Sequence, residues 1–412
     1  MKRIKTILMI ILIVFLGLAG CTTKETTSPS PALAPPPNDE DHTNQTEPNI
    51  ELPQEIDLTA YGVNLFGNDY RQSADGKWGA FTGAKYDEEH NITKLFLLDI
   101  STGELKIIAE GSWIKVLDVH PTGEGISYWS YVNDREVLNI YYQGENIEII
   151  DGSYGSFSPD GSQIAYGKHE QGLFIYDLST KSETLLVEEK EPWYPIWFPN
   201  NRTLFYFADM GKTLTDGAGQ LQGFATIDTK TKEKIQITDQ TGKFRSARWI
   251  IPGKLVHIFA GWDDGAYNMI VDLTSEQIMD LGEDLFAFGG TSYAINLSKE
   301  LFYLTTPEQV QLYQDLESVG AIQIIDEWKP YLHITASPDG EKIAFLAGDM
   351  EFSENFQGRS IWIANHLGGN PEKITAEKLA YTTPQWINEN TLLSVVNDRD
   401  KEIFKIVYIQ ID

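Results

Sequence analysis

The chain has a single cysteine, at position 21, so neither a disulfide framework nor a multi-thiolate metal site can form within it. It is short of positive charge. Lys and Arg total 32 against 60 Asp and Glu, a formal net charge of -28. That balance argues against nucleic acid as a partner, because too little is available to neutralise phosphates. No apolar run is long enough to span a bilayer repeatedly, which excludes a polytopic membrane protein. From residue 54 onward no long stretch keeps a helical period, so the bulk of the chain does not read as helical. What remains is a chain of 412 residues, 42% hydrophobic and 12% aromatic. It is large enough for two or three ordinary domains or one repeat architecture.

The N-terminus reads as an address. Lys2, Arg3 and Lys5 precede an unbroken apolar run, Ile7 to Leu16, followed by Leu18-Ala19-Gly20-Cys21. This arrangement resembles the bacterial lipoprotein signal, in which small residues before the cysteine admit a peptidase. The resemblance implies cleavage after residue 20 and a diacylglyceryl thioether on Cys21. Two acyl chains anchor stably where one is marginal. Loss of residues 1–20 removes three basic side chains and no acid, so the lipid must hold the chain against anionic headgroups. Residues 21–53 then form a disordered tether that contains seven of the 18 prolines. Fully extended, such a segment reaches about 100 Å.

Residues 54–412 are one unit, repeated. A tight turn recurs as Ser73-Ala74-Asp75-Gly76, His120-Pro121-Thr122-Gly123, Ser158-Pro159-Asp160-Gly161 and Ser337-Pro338-Asp339-Gly340. Weaker copies fall at Phe198 to Asn201, Ile251 to Gly253, Leu297 to Lys299 and Asn388 to Asn390. Pro presets φ, Asp or Asn caps local amides, and Gly takes the left-handed conformation. A second signal follows each turn: an apolar strand ending at Asp99, Gln143, Asp177, Asp228, Asp272, Asp315, Asn365 or Asp412. Length varies most between turn and strand end, which places the variable loops between the second and third strands of each unit. Units of four short strands predict an all-β fold: a β-propeller of eight four-stranded blades, with seven as the alternative because several turns are degenerate. The last unit lacks a fourth strand, and Ile56 to Thr59 can supply it, sealing the ring.

These repeats resemble the propeller repeats of TolB and of the prolyl oligopeptidase superfamily. The separate N-terminal domain of the first and the hydrolase domain of the second have no counterpart here. Their chemistry is therefore not implied.

No catalytic constellation stands out. A nucleophile elbow is absent, since Gly152-Ser153-Tyr154-Gly155 has the wrong spacing. The seven histidines are scattered, no zinc spacing occurs, and Asp263-Asp264-Gly265 and Asn397 to Asp400 read as solvated turns rather than calcium loops. No metal or cofactor is expected. Aromatic residues are more telling. The segments that enter the innermost strands carry Trp113, Tyr154, Trp193, Tyr194, Arg245, Trp328, Tyr331 and Tyr381, which are the candidate ligand-binding residues of a central funnel. Trp197, Trp249 and Trp386, just before the turns, read as core.

The expectation is a lipid-anchored propeller on the extracytoplasmic face of a bacterial cell membrane. It binds a protein or an envelope glycan or peptide without converting it. Two alternatives stay open: a hydrolase or lyase acting on envelope glycans or peptides, and an accessory subunit of an envelope assembly or transport complex.

Overall fold

The computed structural model describes residues 52–411 except 64, 67–69, 87–90, 134, 214–219, 238–240, 263–264, 282–292, 306–308, 324–333, 348–359, 376–379, 383 and 399–402. Every recurring turn joins the first and second strands of one antiparallel sheet, and there are eight such sheets. In chain order the first strands are Leu65–Phe66 with Arg71–Gln72, then Ile114–Val119, Gly152–Phe157, Trp193–Trp197, Phe244–Ile251, Tyr293–Asn296, Ile334–Ala336, and Ala380–Tyr381 with Gln385–Asn388. We number the blades 1 to 8 in that order. The fold is an eight-bladed β-propeller with four-stranded blades, and the degenerate turns at 198, 251, 297 and 388 each mark a full blade.

The turn chemistry explains why degeneracy is tolerated. Ser158, Ser337 and Ser73 each use Oγ to accept the N–H five residues on, while their hydroxyls donate to Asp160, Asp339 and Asp75. The fourth position is left-handed: Gly161 has φ 73°, and Asn201 and Glu300 adopt φ 53° and 55° in its place. Glycine serves a second need at Gly161, where a Cβ would collide with the His120 imidazole of the preceding blade.

The strand-end acids behave as Asx turns. Asp177 accepts from the N–H groups of Ser179 and Thr180 at 3.1 and 2.8 Å, and Asp99, Asp228, Asp272 and Asn365 do likewise with their own neighbours. These bonds, the Thr180 amide first, hold the Asp177 carboxyl down at about 2. Two positions differ. Gln143 and Asp315 turn the chain through their own left-handed backbones, at φ 48° and 52°, and Asp315 instead pairs with Lys254 at 2.5 Å.

The core is distributed around the ring. Among the described residues the buried apolar side chains fall into eight clusters, each shared by two consecutive blades. The cluster between blades 8 and 1 contains Leu58, Phe81, Phe96, Val395, Phe404 and Ile406, so the circle is closed by packing. It is closed by main-chain hydrogen bonds as well. Glu55–Asp57 is the outermost strand of blade 8, antiparallel to Ile403–Gln410, with Ile56 opposite Ile406. Closure pairs the third strand of blade 8 over Lys405 to Val407, where it would otherwise be an edge.

The three tryptophans before the turns bridge blades. Trp197 Nε1 donates to Ser156 O at 3.0 Å, Trp249 Nε1 to Trp197 O at 2.9 Å, and Trp386 Nε1 to Thr335 O at 3.2 Å. Each indole reaches back to the innermost strand of the preceding blade. Their cost of burial is thus met by a partner for the one polar atom they carry.

Candidate functional site

Five innermost strands, from blades 1 to 5, enclose a cavity of about 990 Å³. Its wall collects cations. Arg71 comes from blade 1, Lys115 from blade 2, and Lys243, Arg245 and Arg248 from the strand of blade 5 and its lead-in. Asp118 and Glu191 are the acids among its described lining residues. In a chain with almost twice as many acids as bases, the described part of this wall carries five positive groups against two negative ones. Between the two cationic sides stand the aromatic residues of blades 3 and 4, Tyr154, Trp193 and Tyr194.

The aromatic wall is held by a backbone device. In blades 3 and 4 the pairing of the first and second strands slips, between Ser153 and Ser156 and between Trp193 and Ile196. Tyr154 and Tyr194 sit in these bulges with φ of 56° and 53°. Left-handed conformations are rare for bulky residues, and bulges re-aim side chains. The result is a continuous surface. The Tyr154 ring lies 3.9 Å from that of Tyr194 and 4.9 Å from that of Trp193, centroid to centroid. The two phenols are hydrogen-bonded to each other, and burial raises the pKa of both. Arg245, Arg248 and Arg71 all act on the Tyr194 hydroxyl and oppose that rise, so the three guanidinium groups share one locale. Beneath, Phe207 packs against Tyr194 and Phe244, stiffening the floor.

The cationic side in blade 5 is also positioned. The second and third strands of blade 4, Thr203–Thr213 and Gln220–Asp228, are long, and Gln222 on the latter exchanges both backbone bonds with Gly242. Its buried side-chain carbonyl accepts the Phe244 N–H at 2.9 Å. This clamp fixes the segment that carries Lys243 and Arg245.

Asp118 is a brace. Its two oxygens accept the N–H groups of Val119 and, across to blade 3, Phe157, each at 2.9 Å. Set within the ring wall, it is largely desolvated, and this pushes its carboxyl up to about 6 in spite of those amides, Arg71 and the Ser156 hydroxyl.

Of the residues singled out from sequence, Tyr154, Trp193, Tyr194 and Arg245 therefore meet in one cavity. Trp113 lies outside its lining and is 68% exposed. Tyr381 belongs to the innermost strand of blade 8, but its side chain is not among those described. Trp328, Tyr331, Asp263, Asp264 and Asp400 fall outside the described residues, as do Cys21 and the whole of 1–51. Sequence reasoning missed Arg71, Lys115, Lys243 and Arg248. Three of the basic residues stand within Lys243-Phe244-Arg245-Ser246-Ala247-Arg248, a density unusual in so acidic a chain and a signal that was available.

No family model matches the chain, and no curated protein does. Solved structures that resemble it include the β-propeller domain of the Trilobed protease from Pyrococcus furiosus, 12% identical over 84% of this chain and 95% of that one, with a TM-score of 0.43. An oligogalacturonate lyase from Vibrio parahaemolyticus is 13% identical over 84% of this chain and 90% of its own, at 0.45. A putative TolB from Agrobacterium tumefaciens is 15% identical over 53% and 81%, at 0.38. These are propeller proteins too distant to speak for the site, and the fold stated above rests on this chain's own strand pairing.

Proposed function

We propose that the protein is a lipid-anchored, extracytoplasmic binding module of a bacterial envelope, whose funnel holds an anionic group of its ligand without converting it. The cationic wall carries this reading. A chain of net charge -28 that gathers Arg71, Lys115, Lys243, Arg245 and Arg248 around one concavity creates a local field opposite to its own surroundings. Concave walls focus such fields and raise the local concentration of counter-ions. Ordered guanidinium groups recognise carboxylate or phosphate with directional bonds. Lipid attachment at Cys21, with residues 21–53 as a tether, belongs to the same proposal and rests on the Leu18 to Cys21 motif.

Two measurements test it. Thermal unfolding is followed with citrate and with inorganic phosphate at constant ionic strength. The melting temperature is expected to rise for the wild type and to rise much less for an Arg245→Ala/Arg248→Ala variant, because a ligand bound only to the folded state stabilises it. An equal response from both proteins rejects the funnel as the anion site. Labelling with a radioactive fatty acid is expected to mark the wild type and not Cys21→Ala, and a wild type that takes up no label rejects lipid anchoring.

A further inference from the structure

We infer that the anion is a slender acidic oligosaccharide that stacks along an aromatic track running from the funnel to the rim of blade 2; this rests on the anion-binding reading above. The first observation is the spacing of charge. Arg71 and Lys115 stand on one side of the funnel and Lys243, Arg245 and Arg248 on the other, with the Tyr154, Trp193 and Tyr194 rings between them. Such a wall fits negative charges separated by a ring that can lie on an aromatic face. A uronic acid chain has that pattern, with one carboxylate per pyranose and C–H faces complementary to the negative face of an aromatic ring. Runs of Asp or Glu bring charge at every residue and little apolar surface to cover the tyrosines.

The second observation is the track. Lys115, on the cavity wall, is opposite Trp129 in the ladder of blade 2, and Ile114 is opposite Ser130. Tyr131 stands two residues beyond Trp129 in the same strand, and side chains two apart share a face, so Lys115, Trp129 and Tyr131 lie on one side of blade 2, with Trp113 just ahead of the Ile114–Val119 strand. Trp129 and Tyr131 meet edge to face at 4.6 Å, while Trp113 and Tyr131 stay 68% and 46% exposed. Tyr131 Oη donates to Glu136 at 3.4 Å, and the pairing of Trp129 with Lys115 joins this face to the funnel wall. Large exposed aromatics in a group mark interaction surfaces.

The third consideration is bulk. A folded acidic partner would bring its charge against an exterior that is itself strongly acidic, and like charges juxtaposed over a wide surface oppose docking. A thin chain threads the positive concavity and meets that exterior only where it leaves the rim, beyond about 8 Å of which salt screens it.

Isothermal titration of the full chain in detergent micelles tests the assignment, with a uronic acid tetrasaccharide, a neutral hexose tetrasaccharide, a uronic acid monosaccharide, tetraglutamate and inorganic phosphate as probes. The uronate tetramer is expected to bind at least tenfold more tightly than either the neutral tetramer or tetraglutamate. Trp113→Ala/Tyr131→Ala is expected to weaken the tetramer by about tenfold, the loss of one or two stacking contacts, and to leave the monosaccharide unchanged. Arg245→Ala is expected to weaken both. Tetraglutamate or phosphate binding as well as the uronate, or a tetramer indifferent to the rim variant, overturns the saccharide assignment and leaves the cationic funnel standing. Failure of every anion to bind overturns both.

Discussion

Tyr154 and Tyr194 hold the same place in adjacent blades: each is a left-handed residue in a bulge of an innermost strand, and their rings lie 3.9 Å apart. Of the thirteen non-glycine residues with positive φ among the described residues, most sit in turns, where nothing large is asked of the side chain. Here the strained backbone points two phenols into the cavity. Strain of this kind costs about 1–3 kcal/mol and persists where the surroundings over-determine it.

That strain separates two truncations. Tyr194→Ala keeps the unfavourable backbone, whereas Tyr194→Gly relieves it. The glycine variant is expected to be more stable than the alanine variant by about 1 kcal/mol, the reverse of the usual order within a strand. Denaturant midpoints of the two proteins check this. An alanine variant equal to or more stable than the glycine one would show that the bulge relaxes once the ring is gone.

The tryptophan bridges give a second expectation. Trp197→Phe keeps most of the apolar contact but removes the N–H that reaches Ser156 O. A lost bond between buried groups costs about 1–3 kcal/mol when its acceptor is left dry. Trp249→Phe removes the bond to Trp197 O in the same manner. Because the two bonds share Trp197, the double variant is expected to depart from additivity, which a double-mutant cycle in urea measures.

Much of the architecture was legible because its signals are local. The Ser158 to Gly161 turn is specified by four residues that bond chiefly to one another and to the next strand, so the chain announces it without reference to the fold. The same holds for Asp177 and its Asx turn. The blade count of eight was less clear, since Glu300 takes a left-handed turn position that sequence rules reserve for Gly or Asn. Only ring geometry places Arg71 beside Arg245 in one wall, and no periodicity records it. The bulged tyrosines were found as aromatics in entering segments. Their conformation was not legible, because bulky residues disfavour it.

Closure of the ring has a measurable energy. Leu58 is fully buried against Phe404 and Phe81, in the cluster where the two ends of the propeller meet, and its N–H donates to Phe404 O at 2.8 Å. Leu58→Ala is expected to destabilise by about 2–5 kcal/mol, as for a core leucine anywhere. It is also expected to expose blade 8 before the rest. In native-state hydrogen exchange, the amides of Ile403–Gln410 should lose protection before those of Gly172–Asp177 in blade 3. Uniform loss around the ring would show that closure is not a separate step.

Acid titration should reveal two desolvated groups pulling in opposite directions. Desolvation raises the Asp118 carboxyl to about 6, so between its unfolded value near 4 and about 6 the folded state holds a proton that the unfolded state has released. Its contribution to stability is present below that window and is lost as pH rises through 6. His257 in blade 5 is buried and neutral, with Nε2 and Asn268 Oδ1 2.8 Å apart, and desolvation lowers it to about 4. Here the unfolded state takes the proton first, so stability is present above about 6.5 and is lost as pH falls toward 4. The wild type should therefore show a shallow dependence over this range. Asp118→Asn, which also forfeits an acceptor for the Phe157 or Val119 amide, should become steeper, losing stability as pH falls. His257→Gln should slope the other way. The funnel shares in the Asp118 titration, because Asp118 stands on its wall with Arg71, the Ser156 hydroxyl and two amides acting on its carboxyl. Neutralising it leaves the cations less opposed, so the affinity for sulfate, an anion of fixed charge over this range, should rise from pH 7.5 to 5.5 in the wild type and stay flat in Asp118→Asn. An identical rise in both proteins would assign the effect to groups other than Asp118.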